Sequence, residues 1–108
     1  MNTMMRAGFG LVLLGGLSLS AQAGAEIFAG ADEKLGERLI QEHDCTECHR
    51  QRVGGDGSAI YRPAGRISTP EALRSMVEYC STQLNLRLFP EETLAISAVL
   101  QRDHYRFK

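Results

Sequence analysis

At 108 residues the chain has room for one domain and not for two independent cores. Its 12 basic and 13 acidic side chains leave a formal net charge of −1, which disfavours nucleic acid as a partner, because phosphate binding calls for a clustered excess of Lys and Arg. Three cysteines, an odd number, together with three histidines direct attention to thiol and imidazole chemistry.

Residues 1–23 read as a secretory signal. Arg6 supplies the positive n-region, Ala7 to Ala21 is an apolar run rich in Leu and Gly, and Ala21-Gln22-Ala23 is a small-x-small cleavage site. Cleavage is expected after Ala23, with Ala25 as the near alternative, leaving a single domain over residues 24–108. The apolar run is shorter than the roughly 20 residues that span a bilayer, and Gly15-Gly16 weakens it as a helix. Membrane attachment is therefore expected only if the signal stays uncleaved. A domain this small usually recruits a disulfide, a metal or a cofactor to supplement its core.

Gly24 to Gly30 is expected to be a short mobile lead-in. From Asp32, an N-cap, a helical pattern places Leu35, Leu39 and Ile40 on one stripe that ends near His43. Gly36 interrupts it at a cost of up to about 1 kcal/mol relative to alanine, which close approach by another helix would explain.

Cys45-Thr46-Glu47-Cys48-His49 follows. Two thiols three positions apart and an adjacent imidazole are what covalent haem attachment through two thioether bonds requires. One helical turn separates the sulfurs, so both reach the vinyl groups along one side of a porphyrin, and the next side chain falls beneath the iron. Cys45 and Cys48 are read as the tethers and His49 as the proximal iron ligand. A structural zinc site would need four nitrogen or sulfur ligands, for which the chain offers only Cys80, His43 and His104 as scattered extras. A thioredoxin-like dithiol would need a strand-helix-strand context that is not visible.

On this pentapeptide the chain resembles the c-type cytochromes. The resemblance implies one covalently attached haem c per chain and attachment outside the cytoplasm, which agrees with the leader and, in a bacterium, with a periplasmic address. It also implies an all-α, small cytochrome c-like fold with three main helices around the haem, in which a small residue such as Gly36 lets the first helix cross closely against the last.

The stretch Arg50 to Ser68 is polar and turn-rich, and Gly54-Gly55-Asp56-Gly57 cannot be regular structure. A metal-bound His usually donates its other ring N–H to a fixed acceptor. Cytochromes of this kind use a proline-loop carbonyl, and Pro63 resembles that element at a longer spacing than usual; the alternative is an ordinary turn proline. A second helix is expected from Thr69-Pro70-Glu71, with Thr69 as N-cap and Pro70 at N1, carrying Leu73, Met76, Val77, Cys80 and Leu84 on one face. A third begins near Pro90-Glu91-Glu92, buries Leu94, Ile96 or Ser97, Ala98 and Leu100, and ends near Tyr105 and Phe107. Its late basic residues, Arg102, Arg106 and Lys108, suit a helix C-terminus. No alternating strand pattern or internal repeat is apparent.

The sequence departs from the family on the distal side. Electron-carrying relatives place a methionine between the middle and last helices as sixth iron ligand, whereas Gln83 to Phe89 contains none. Once the leader is removed Met76 is the one methionine left, either a distal ligand that would raise the potential or a core filler. His104, Asn85 and Cys80 are the other candidates. His104 reads equally as a surface residue, and Cys80 first of all as a buried, inert thiol between Val77 and Leu84. His43 flanks the haem motif. The resemblance implies an electron carrier rather than an enzyme, cycling between Fe(II) and Fe(III) and meeting redox partner proteins transiently. Arg50, Arg52, Arg62 and Arg66 are available to steer acidic partners or pair with propionates. The missing methionine loop keeps an alternative open: a haem protein with an open or weak distal site that binds a small gas or has peroxidase-like activity.

Overall fold

The computed structural model describes residues 26–62 and 65–108, together with the isolated Gly10. The expected leader and its cleavage site, and Pro63, lie outside the described residues. Within them the protein is all-helical, with no strand, and no helix is long and apolar enough to cross a membrane. Four helices follow in order: α1 Glu33–Glu42, α2 Cys45–Val53, α3 Pro70–Gln83 and α4 Pro90–Leu100.

Helix starts follow the caps that the sequence offers. The Asp32 carboxylate accepts from the Leu35 amide at 3.0 Å, and the Thr69 hydroxyl accepts from the Ala72 amide at 3.1 Å with Pro70 in the first turn of α3. At α4, Pro90 occupies the first turn and the Glu92 carboxylate accepts from the Phe89 amide at 2.8 Å. Each contact satisfies an amide that the helix itself leaves without a partner.

The core forms where α1 and α3 pack on α4. Buried Leu39, Leu73, Ile96, Ala98 and Leu100 meet there, and Leu73 is only 1% exposed. Helix α4 is enclosed along most of its length, with Ala95 through Leu100 all buried. Gly36 is the point of closest approach. A side chain there would run into the Ala95 carbonyl oxygen of α4 and lie 2.8 Å from Val99 Cγ2, so the missing Cβ is what allows the α1 backbone to approach the α4 backbone, the close helix approach that Gly36 led us to expect.

Three features differ from the expectation. Residues 26–28 form a 3-10 turn and Phe28 packs into the core, so this part of the lead-in is an anchored end of the domain; a single aromatic ring without periodic neighbours gives no warning of its burial. The turn at Cys45 to His49 continues as helix α2 to Val53, where Gly54 at φ 78° ends it, so the described residues hold a fourth α-helix beside the three main ones expected. Helix α2 has no buried residue and no apolar stripe, which is why periodicity missed its second half. Lastly, the end of α4 widens into a π-turn over Gln101–Tyr105, closed by the Gln101 side chain, which donates to the Phe107 carbonyl at 2.8 Å and accepts from its amide at 3.1 Å.

Candidate functional site

Helix α2 carries both thiols and the imidazole of the motif on a stretch about one turn long, and all three side chains line one cavity of about 810 Å3, within the range of small-molecule and cofactor sites. Helix α3 contributes Leu73, Met76, Val77 and Cys80 to the same lining, and α4 contributes Ile96 and Leu100. Leu84, Leu86 and Leu88 of the α3–α4 connection and Ile60, Tyr61 and Ile67 of the α2–α3 connection complete its apolar part. Arg52, Arg62 and Arg66 also line the cavity.

The thiols are free. Burial pushes the Cys45 thiol above its ordinary pKa, and the neighbouring Cys48, Cys80 and Asp44 add to the shift. Partial desolvation of its sulfur likewise raises Cys80, against the lowering effect of the Arg52 charge. His49 is shifted the other way: burial and then the nearby Arg52 cation lower its pKa, favouring the neutral ring that can act as a metal ligand. Its Nδ1 lies 2.9 Å from the Tyr61 hydroxyl. The Tyr61 phenol is held strongly protonated, first by burial and then by Cys45, Tyr105 and Cys80.

Scans of protein-family models, curated proteins and solved structures find no match to this chain. The site has to be read from its own residues.

Among the described residues no group of three or more His, Cys, Asp or Glu side chains is placed to hold a bare metal ion, so Cys45 and Cys48 have no set of zinc partners around them. The lining instead combines two thiols, an imidazole favoured in its neutral form and three arginines with a mainly apolar remainder. Val53, Met76, Tyr79 and Leu84 are large apolar side chains that line it while remaining exposed, Leu84 at 52%; contiguous apolar exposure of this kind marks ligand-binding grooves. These residues suit a flat apolar ring with acidic substituents, which the three arginines would face.

The candidates for a distal ligand separate clearly. Met76 sits on the cavity wall at 38% exposure and not in the packed core. Cys80, expected to be buried and inert between Val77 and Leu84, is instead exposed on the same wall, one helical turn beyond Met76; helical spacing put it on the apolar face of α3, but that face is shared between core and cavity. His43 also lines the cavity, from the C-terminal end of α1. Asn85 does not; it is the left-handed residue of a turn, at φ 56°. His104 also lies outside, against the far side of Tyr61, where it lines a second cavity of about 310 Å3. Among the arginines, Arg50 is turned away to Glu47, at 3.3 Å, and to the Gly55 carbonyl.

Sequence reading passed over Tyr61 as a functional residue. The signal was an aromatic side chain beside the proline being weighed as the imidazole's acceptor; nothing in the spacing marked its hydroxyl as the group that reaches His49.

Proposed function

We propose that this chain is an exported, monohaem c-type cytochrome, periplasmic in a bacterium, that transfers electrons between transient redox partner proteins. The observation that carries the reading is that Cys45, Cys48, His49 and Met76 line one largely apolar cavity. The fold that goes with it is cytochrome c-like: α1 crossing α4 through Gly36, the attachment motif on α2, and α3 lining the same cavity.

Bound haem would supply a one-electron Fe(II)/Fe(III) couple. Cys45 and Cys48 would hold the macrocycle through thioether bonds, their S–H groups adding across its two vinyl substituents. His49, favoured in its neutral form by burial and Arg52, would offer Nε2 to the metal, and Met76 its thioether. Leu73, Ile96 and Leu100, with Leu86 and Leu88, supply apolar lining that would limit water at the ring and keep reorganisation on electron transfer small. Arg52, Arg62 and Arg66 offer positive charge to propionates or to an acidic partner.

A second reading is favoured by one observation: the α3–α4 connection brings Leu84, Leu86 and Leu88, and no ligating side chain, to the cavity. A weak or open sixth position would make the protein a binder of small gases or a peroxidase-like haem protein. The test is the absorption spectrum of the mature protein produced in a host with cytochrome c assembly. The carrier reading expects colour that survives acid-acetone treatment, a mass increment of one macrocycle, and a low-spin reduced spectrum indifferent to carbon monoxide. High-spin iron that binds carbon monoxide selects the second reading. Colourless protein, with no mass increment, rejects both.

A further inference from the structure

His49 and Tyr61, together with Ile40 and Leu100, line both the large cavity and the small one. The rings of His49 and Tyr61 meet edge to face, with centroids 5.2 Å apart and planes at 88°, and the Tyr61 hydroxyl lies 2.9 Å from Nδ1. The phenol is itself held on two sides. His104 stacks on it at 4.4 Å and 28°, and Tyr105 meets it edge-on at 6.0 Å; Tyr105 in turn stacks on Phe107 at 5.3 Å. His104 and Tyr105 are consecutive residues, and it is the π-turn over Gln101–Tyr105 that brings both to one ring. Such turns insert a residue into a helix and recur at functional sites. Closure of the turn is secured by the paired hydrogen bonds between Gln101 and Phe107.

We infer that Tyr61, clamped by the π-turn at the end of α4, is the positioning residue for His49, fixing its ring plane. The inference rests on the haem reading for what His49 ligates. An imidazole that binds metal through Nε2 must carry its proton on Nδ1, so in the bonded state Nδ1–H donates and the Tyr61 oxygen accepts. An acceptor at that position raises the basicity of the ligand and stabilises the ferric state. In this chain a side-chain hydroxyl does so, and its grip depends on a segment that also holds α1: Arg102 of the π-turn reaches Glu37 at 2.9 Å. The proximal ligand is thereby tied to the packing of the C-terminus on the first helix.

The experiment compares wild type, Tyr61→Phe, His104→Ala and His104→Phe, all matured with haem and first measured for covalent haem by mass. Wild type without haem defeats the haem reading, whereas the role of Tyr61 is decided in haem-bearing protein by midpoint potential and paramagnetic resonance. Tyr61→Phe is expected to keep covalent haem, to shift the ferric/ferrous balance toward the reduced form by about tenfold, or about 59 mV upward in midpoint potential, and to change the g-values of the ferric electron paramagnetic resonance spectrum as the imidazole plane is released. His104→Ala should move both in the same sense by less, and His104→Phe, which preserves the stack, should restore wild-type values. Wild-type potential and g-values in Tyr61→Phe overturn the inference. Should that variant fail to mature, His104→Ala decides, and unchanged values there overturn it equally.

Discussion

Gly36 is the residue on which the main helix crossing depends. A Cβ at that position has nowhere to go, because the obstacle is the Ala95 backbone carbonyl and not only the movable end of Val99. Gly36→Ala should therefore destabilise the protein by about 1–3 kcal/mol, the usual cost of overpacking, despite alanine's better helix propensity; chemical denaturation of the two proteins measures it, and equal or greater stability of the variant would show that α1 and α4 can separate freely. On the proposed haem reading, Met76 is the residue on which the distal side would depend. Met76→Ala in haem-bearing protein should then abolish any methionine-to-iron absorption band and convert low-spin iron toward high-spin, whereas Cys80→Ser, one turn further along α3, should leave the spectrum as it is. The reverse result would assign the sixth position to the thiol. Both residues were legible in the sequence as places of interest, the glycine because it costs helix stability and the methionine because no other remained beyond the leader. What spacing could not separate was core from cavity: both belong to one apolar face, and only the packing of α3 against α4 decides that Leu73 is sealed while Met76 and Cys80 are not.

Elements bounded by local chemistry were the readable ones. Asp32, Thr69 with Pro70, and Pro90 each start a helix for reasons contained within four residues. Helix α2 and the π-turn were not readable, because the first has no buried face and the second is fixed by contacts that close between Gln101 and Phe107. The π-turn also carries a pH dependence. Its Asp103 carboxylate takes two hydrogen bonds from Arg102, at 2.7 and 2.9 Å, and that hydrogen bonding, more than the Arg102 charge, holds the carboxyl below its ordinary value of 3.8. A carboxyl depressed in the folded state contributes stability above its unfolded pKa and loses it as pH falls through the folded one. The turn should accordingly loosen below about pH 4, with an effect kept small by solvent screening. Thermal unfolding of wild type and Asp103→Asn between about pH 6 and about pH 2 measures it: the difference between the two proteins should shrink toward the acid end, and a constant difference would mean that the pair adds nothing through its charge.

At the scale of the whole molecule, the described residues form two apolar regions of different kinds. One is the sealed core of α1, α3 and α4. The other is the cavity wall, where Met76, Tyr79 and Leu84 remain exposed although they lie on or beside the packed face of α3. Burial of apolar surface stabilises by about 25 cal/mol per Å2, and in a domain of this size the core alone leaves little margin. The wall is thus surface whose stabilising contribution depends on what fills the cavity. If haem fills it, attachment through Cys45 and Cys48 is part of folding and not an addition to a finished protein, because a group bound by the folded state alone shifts the equilibrium toward that state. A Cys45→Ala, Cys48→Ala double variant should then lose covalent haem, retain helical circular dichroism, lose near-ultraviolet signal from its aromatic cluster and bind a hydrophobic dye, as compact states with unfixed packing do. The aromatic signal is the discriminating part, since Tyr61, Tyr105 and Phe107 belong to the clamp behind His49 and should lose order together with the ligand they hold. A double variant with a sharp unfolding transition and an unaltered aromatic spectrum would mean that the four helices fix one another unaided, and that the cavity is a binding site in a preformed scaffold.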